Sequence, residues 1–304
     1  MNRIIVNYHY IRERGDRGIH PCTVENFQKQ MRFLSERYTF ASVGEVYRAA
    51  SENRAGKLCA LTFDDGLAEH YRIAFPVLRQ RNIRAAFFPI GLPLQEGRIP
   101  LSHKLHILLS EIPTRELVGE VERFFNGRVR IESDRLINPE RRFDDILTSN
   151  LKETLIALTL EERSKLIEGL FIQSYSLEHE RELAKKIFMS AQELRELAAS
   201  GMTIGSHTYN HLGLNTLGRD DQLKEISWGQ EAVRDILGDY PSMFVYPHGR
   251  YNEDTLGIVK NLGFQSAFTL GARDVSADDS ALEIPRYDTN DLPRSNAADS
   301  RSPR

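Results

Sequence analysis

Short apolar runs bounded by polar residues alternate along this chain with longer stretches whose apolar positions recur every three or four residues. Arg3–Tyr8, Leu58–Phe63 and Ala85–Ile90 have the length and character of buried strands. Between them, Glu25–Arg37 places Phe27, Met31 and Leu34 on one helical face. Val43–Ser51 and Tyr71–Arg81 predict further helices, and Thr39–Ser42 a short strand. This alternation predicts parallel strands joined by helical crossovers.

From about Arg98 to Ile187 the alternation stops. Residues 103–109, Thr114–Phe125, Phe143–Leu158 and Glu161–Tyr175 all predict helices, with no convincing strand among them. The stretch reads as a helical insertion at about 98–187, serving as a lid, a substrate-selecting wall or an oligomer contact. The earlier pattern returns at Ser190, which can cap helix Ala191–Ser200 with Glu193 completing a capping box. Gly201 then ends that helix. Strand Met202–Gly205, helix Asp220–Leu237 (with Trp228 as a packing residue), strand Phe244–Tyr246, helix Glu253–Leu262, strand Ser266–Leu270 and strand Leu282–Tyr287 complete the set. About seven strands with intervening helices predict an α/β fold, a distorted, incomplete (β/α)7-type barrel occupying residues 1–288. Thr289–Arg304, rich in Ser, Asn, Asp, Pro and Arg, predicts a disordered tail.

Composition narrows the class without naming a function. The 304 residues are 40% hydrophobic and 27% charged, with a net charge of −3, so no general attraction to nucleic acid is implied. No apolar run approaches the roughly 20 residues of a membrane helix, and the apolar stretch in Met1–His9 is too short for a signal peptide. Cys22 and Cys59 are the only cysteines, which argues against a disulfide framework and makes the reducing cytoplasm the default. Cys59, inside a buried strand, reads as a small core residue.

The chemistry starts at Thr62-Phe63-Asp64-Asp65-Gly66, two adjacent carboxylates at a strand end followed by a residue free to turn. Like charges this close repel, and burial raises the cost. A bound metal resolves the conflict if one carboxylate ligates and the other acts as a base; a capped turn with solvated acids is the plainer alternative. Ser206-His207-Thr208-Tyr209-Asn210-His211 follows a second strand. Its two histidines are four apart, which on a helical turn puts both imidazoles on one face. Asp65, His207 and His211 would give zinc three ligands and leave an open position.

These two motifs, together with Tyr246-Pro247-His248-Gly249 and Ala85–Gly91, resemble the polysaccharide deacetylase family, the metal-dependent carbohydrate esterases that include chitooligosaccharide deacetylases. The likeness covers about residues 1–95 and 189–288. It implies a distorted barrel with the site at C-terminal strand ends, where Asp64, Asp65, His207 and the Pro247 loop fall. It also implies that Asp64 deprotonates a water activated by the cation. The backbone N–H of His248, in a loop with His where the family has Tyr, would donate to the oxyanion; Tyr246, Pro247 and Gly249 complete that loop. Leu214 stands where it packs either near the acyl methyl or in the core.

Two departures from the family pattern matter. The C-terminal Leu-x-His that carries the family's general acid is missing; this end reads Leu282-Glu283-Ile284-Pro285-Arg286-Tyr287-Asp288. His9, in Tyr8-His9-Tyr10 at the first strand's end, resembles the acid of the permuted poly-N-acetylglucosamine deacetylase branch and is assigned that role, with a metal-ligand role as the alternative. Val245 replaces the arginine that precedes Pro-Tyr-Gly in many relatives. Arg286 is either its substitute, holding Asp64 ionised, or an ordinary surface or tail arginine. His20, His70, His103, His106 and His179 lack a strand-end context; His103 and His106 read as a helix surface.

The sequence therefore predicts a metal-dependent N-deacetylase, with zinc expected and cobalt, nickel or iron able to fit the same donors. Its partner is an N-acetylated amino-sugar glycan or precursor; lipid-linkage would make the protein membrane-peripheral. A deformylase or other amide hydrolase is one rival, an inactive glycan-binding barrel another. Nothing in the sequence sets an oligomeric state.

Overall fold

The computed structural model describes residues 2–139 and 143–292. Its strands are β1 (Arg3–Tyr8), β2 (Ile11–Arg12), β3 (Cys22–Thr23), β4 (Thr39–Phe40), β5 (Leu58–Asp65), β6 (Ala85–Pro89), β7 (Thr203–Ile204), β8 (Met243–Val245), β9 (Ser266–Phe268) and β10 (Tyr287–Asp288). The main sheet runs β10-β1-β5-β6-β7, and every pairing in it is parallel. β1 and β5 pair from Arg3↔Leu58 to Tyr8↔Phe63, and β5 and β6 from Leu61↔Ala85 to Asp65↔Pro89. A single parallel bridge, Ser206↔Phe244, carries the pairing on to β8 and β9. Another, Phe268↔Ile284, leads into the segment that becomes β10. The expected seven-strand α/β barrel is thus present, and its distortion lies in these two one-residue seams.

Strand and helix formation follow the expected burial. β1 is buried at all six positions: Ile4, Val6 and Tyr8 pack with helix residues such as Phe27 and Met31, while Ile5 packs with Ala60, Ala86, Val245 and Phe268 of other strands. Tyr8, Phe63 and Phe87, on three neighbouring strands, stack at 5.3 and 4.8 Å between centroids. Helix Val24–Arg37 buries Phe27, Met31 and Leu34 against them. Each such side chain contributes about 1.5–3 kcal/mol on burial. Ser190 and Glu193 form the anticipated capping box, and Gly201 has φ +80°.

Three local readings need correction. Residues 71–81 do not form one α-helix: His70–Ala74 is a π-helical turn, followed by α-helix Phe75–Gln80. Pro76 has no N–H for the carbonyl four residues back, and Phe75 N–H reaches His70 O. The ordered chain does not stop at Asp288. Thr289–Asp291 makes a 3-10 turn, with Thr289 Oγ1 donating to Gln30 Oε1 at 2.8 Å and Gln30 Nε2 donating to Thr289 O at 2.9 Å. The rest of the expected tail, residues 293–304, lies outside the described residues. Trp228 is not a core residue: it is 47% exposed, with its ring edge-on to Tyr209.

The chain divides into two compact units. One comprises the chain up to Glu13, Pro21–Arg98 and everything from Ala184; it carries every strand named above. The other comprises Arg14–His20 and Ile99–Leu183. In this second unit, helices Leu101–Glu111, Thr114–Phe124, Ile146–Ala157 and Leu160–Ser174 are followed by the first part of a fifth, Leu177–Ile187, and no strand occurs among its described residues. Lys104 is its buried charged centre, paired with Glu168 at 2.6 Å and Glu180 at 3.1 Å. His103 is buried, not on the helix surface as the sequence suggests, with its ring edge-on to His106. Arg14–His20 is held by Lys152, which donates to Gly18 O at 2.7 Å, and by Asp144, which pairs with both Lys152 and His20.

No described helix is long and apolar enough to cross a membrane, and both cysteines are buried free thiols.

Candidate active site

Asp64 and Asp65 close β5, where the strand direction carries both carboxylates to one end of the parallel sheet. The turn after them is forced. Asp65 has φ +69° and Gly66 φ +68°, and a Cβ on Gly66 would sit 2.7 Å from the Pro89 Cα. Glycine is the residue that tolerates both constraints.

Asp64 is buried and faces Arg286, which arrives from the segment before β10. The guanidinium grips it through two 2.9 Å bonds, Nη1 to Oδ1 and Nη2 to Oδ2. Arg286 also donates to Thr62 Oγ1 at 3.1 Å, Asn7 Oδ1 at 3.3 Å and Thr269 O at 3.2 Å. Burial by itself would push the Asp64 carboxyl up. Arg286 opposes it, helped by His207 and His9, and holds the group below the ordinary carboxylate range. Of the two sequence readings of Arg286, the partner of Asp64 is the one seen; it is an interior residue, not a surface one.

Asp65, His207 and His211 are all buried, and one ligand atom from each lies within 4.8 Å of the others. Asp65 Oδ1 is 3.5 Å from His207 Nε2 and 3.3 Å from His211 Nε2. His207 Nδ1–H donates to Val245 O at 2.9 Å, which fixes the tautomer and leaves Nε2 as a lone-pair donor. A carboxylate and two imidazoles at this spacing fit a divalent cation by donor type and number.

The two histidines do not ride on a helical turn. Residues 207–213 are irregular, with Thr208 at φ +62° and His211 at φ +60°. Convergence comes from a tethered loop. Thr208 O and Tyr209 O accept from Gly91 N and Leu92 N at 2.9 and 2.8 Å, and His211 N donates to Thr208 Oγ1 at 3.1 Å. The Glu225 carboxylate accepts from Asn210 N at 2.9 Å and Asn210 Nδ2 at 2.5 Å. Glu225, pushed up by burial despite those bonds, is an anchor that no sequence spacing announced. Positive φ outside glycine is itself concentrated here. Among the described residues it occurs at Asn53, Asn82 and Asn126, and otherwise at Asp65, Thr208, His211 and His248. Asparagine, aspartate and histidine enter this region more readily than other side chains; β-branched Thr208 holds the clearest backbone strain, of order 1–3 kcal/mol.

The loop rests on helix Arg219–Leu237 at Gly229, where an added Cβ would lie 2.4 Å from the Thr208 carbonyl carbon. Gly229→Ala is therefore expected to displace the His207–His211 loop and weaken cation affinity about 10- to 100-fold. Metal titration of the variant checks this; unchanged affinity would mean that the loop can shift without moving its imidazoles.

His9 follows β1 directly. Its Nε2 is 3.8 Å from Asp64 Oδ2 and its Nδ1 3.9 Å from Asp288 Oδ2, with the side chain 36% exposed. Asn7 Nδ2 lies 3.5 Å from His9 Nδ1. His248, at φ +57° between buried Pro247 and Gly249, is exposed, with its ring 4.5 Å from that of His211. Tyr246 points away from this group: it is buried and donates to Leu282 O at 2.8 Å. Leu214 is fully buried with Ile226, Phe244 and Tyr246, so it is a packing residue.

A parallel α/β barrel that gathers carboxylates and imidazoles at its strand ends has the layout of an enzyme site, a layout shared by many chemistries. The chain belongs to the polysaccharide deacetylase family, whose model matches residues 51–111 and 143–267. The protein YxkH of Bacillus subtilis (strain 168) is 27% identical over 144 residues, 47% of this chain and 48% of that protein. Chitin deacetylase of Colletotrichum lindemuthianum is 34% identical over 71 residues, 23% of this chain and 29% of that protein. The matched stretch thus spans less than half the length of either curated relative. Among solved structures, the Streptococcus pyogenes deacetylase PplD in complex with acetate shares the fold, with a TM-score of 0.60 and 20% identity over 95% of this chain and 92% of that one. His9 and Arg286 both lie outside the segments matched by the family model.

Proposed function

We propose that this protein is a metal-dependent hydrolase that removes the acetyl group from the nitrogen of an amino sugar in a glycan or glycan precursor. One observation carries the reading: the buried Asp65–His207–His211 cluster sits beside a second carboxylate, Asp64, that Arg286 keeps ionised and in place. The family supports a deacetylase, and the acetate held by PplD and the substrate named for the Colletotrichum enzyme support an acetylated amino sugar.

Asp65, His207 and His211 would hold the cation, with zinc the best match to two nitrogens and one oxygen. When bound, such a cation would supply Lewis-acid polarisation of the acyl oxygen and lower the pKa of a nearby water. Asp64 accepts the proton of that water; Arg286 fixes the carboxylate's position by gripping both of its oxygens. His9 protonates the departing amine from the open side of Asp64, where its Nε2 lies 3.8 Å from Oδ2. The loop Pro247–Gly249, with His248 at its tip, supplies the oxyanion donor.

The test is acetate release by the zinc-loaded protein from N-acetylglucosamine oligomers and small N-acetylhexosamine derivatives. Release that stops with a chelator and returns with metal is expected. Formate release from N-formyl analogues without any acetate would make the protein a deformylase, and glycan binding without hydrolysis an inactive barrel. His9→Ala is expected to lower kcat about 10²–10⁴-fold, the range for a lost general acid, with bound metal unchanged. Loss of metal from that variant would reassign His9 as a ligand.

A further inference from the structure

His70 has no role in the chemistry so far, yet it is fully buried behind the site. It begins the π-helical turn His70–Ala74, a rare geometry that recurs at functional positions. Its ring lies 5.3 Å from that of Phe63 and 6.3 Å from that of Phe87, among the aromatic residues of β5 and β6. From there Nε2–H donates to the backbone carbonyl of His9 at 2.7 Å. The preceding residue grips the same segment two positions on: Glu69 Oε1 accepts from Ile11 N at 2.7 Å, and Oε2 from Arg12 Nε at 3.1 Å.

A purely structural explanation fits this residue poorly. The other ring nitrogen, Nδ1, is buried without a hydrogen-bond partner. An unsatisfied buried acceptor costs stability, and a leucine would fill an aromatic-lined space without that cost. Burial pushes His70 down to about 4, against the opposing pull of the His9 carbonyl and the nearby carboxylates, so the ring is neutral near pH 7. A neutral imidazole has one N–H, and here the His9 carbonyl takes it. What the protein obtains for this buried imidazole is a fixed backbone at His9.

We infer that Glu69 and His70 are positioning residues that clamp the His9–Arg12 segment, so that the His9 imidazole is presented toward Asp64 at the rim of the site. The inference rests on the assignment of His9 as the acid and adds the groups that aim it. His9 lies between β1 and β2, and the segment's pairing with Cys22–Thr23 begins only beyond it, with Cys22 N donating to Tyr10 O at 3.0 Å. Two side chains that follow β5 hold the segment from the other side, at the His9 carbonyl and the Ile11 amide, which ties the placement of His9 to the same strand that carries Asp64 and Asp65. A displacement of about 1 Å in a catalytic group costs about 10²-fold in rate.

The experiment compares full-length His70→Leu, His70→Gln and Glu69→Ala with the wild type, by crystal structure and by acetate release. His70→Leu should move the His9 imidazole away from its 3.8 Å spacing to Asp64 Oδ2 and lower kcat about 10²-fold, with KM and bound metal unchanged. His70→Gln, whose amide can donate from the position of Nε2, should restore most of the rate. Glu69→Ala, which leaves the buried ring in place, should lower kcat by a smaller factor and keeps the idea testable if His70→Leu fails to fold. With His9→Ala already present, neither substitution should lower the rate further, because the clamp acts through His9. A His9 ring that stays in place in both His70→Leu and Glu69→Ala overturns the inference, as does a rate loss that persists in full in the His9→Ala background. A wild type that releases no acetate overturns the proposed activity instead, while the position of His9 in the variants still decides the clamp.

Discussion

Asp64→Asn is expected to lower acetate release about 10²–10⁴-fold and to leave close to one metal per chain, because the proposed mechanism loses its base and keeps its three proposed ligands. Asparagine keeps the shape of the side chain but cannot accept a proton from water at neutral pH. The measurement is kcat together with metal stoichiometry on the same preparation. Retained turnover would mean that another group takes the proton, and His9, 3.8 Å away, would be the first candidate. The substitution also leaves Arg286 facing a neutral amide in a buried setting, so the unfolding midpoint in urea should fall as well.

Arg286→Met has the largest expected effect on stability. It removes the fork that neutralises Asp64 and leaves a buried carboxylate uncompensated, at a cost of about 3–5 kcal/mol. Equilibrium urea unfolding of the metal-free protein checks the figure. The double variant Asp64→Leu with Arg286→Met removes both charges, and should recover much of that stability, since apolar replacement of an entire buried pair is often neutral. It should recover no activity. An Arg286→Met protein as stable as the wild type would show that water reaches this pair and screens it, against the burial seen for both side chains.

Much of this arrangement was legible in the sequence for an identifiable reason. The Asp64–Asp65 pair lies at the end of an apolar run, and a run of that length buried in a parallel sheet must deliver its last residues to the catalytic rim. His207 and His211 were legible as residue types beside a second strand. The way they converge was not, because spacing of four suggests a helix while the backbone takes positive φ at Thr208 and His211. That path depends on Glu225 and Gly229, contributed by a helix that starts beyond the motif, and no local pattern encodes such a contact. Arg286 was ambiguous for the same reason: its partner stands 222 positions away. The seven residues Arg14–His20 look like an ordinary loop, and only their bonds to Lys152 and Asp144 reveal that they fold with the helical unit. His70 stands in no strand-end motif, so nothing in the sequence marks it, and its bond to the His9 carbonyl is visible only in the fold.

The uneven pairing around the barrel divides the candidate cation site into a stiff half and a compliant half. Asp65 is set in a strand paired along much of its length on both sides, whereas His207 and His211 follow a two-residue strand and are held by scattered loop bonds to Pro89, Gly91, Leu92 and Glu225. Amide exchange should therefore run faster on the imidazole side than on the carboxylate side when the protein is stripped of metal, and the gap should narrow once a cation staples the two halves together. On this view the ion is a strut as well as a reagent, and chelation would loosen the histidine arm long before the sheet itself gives way.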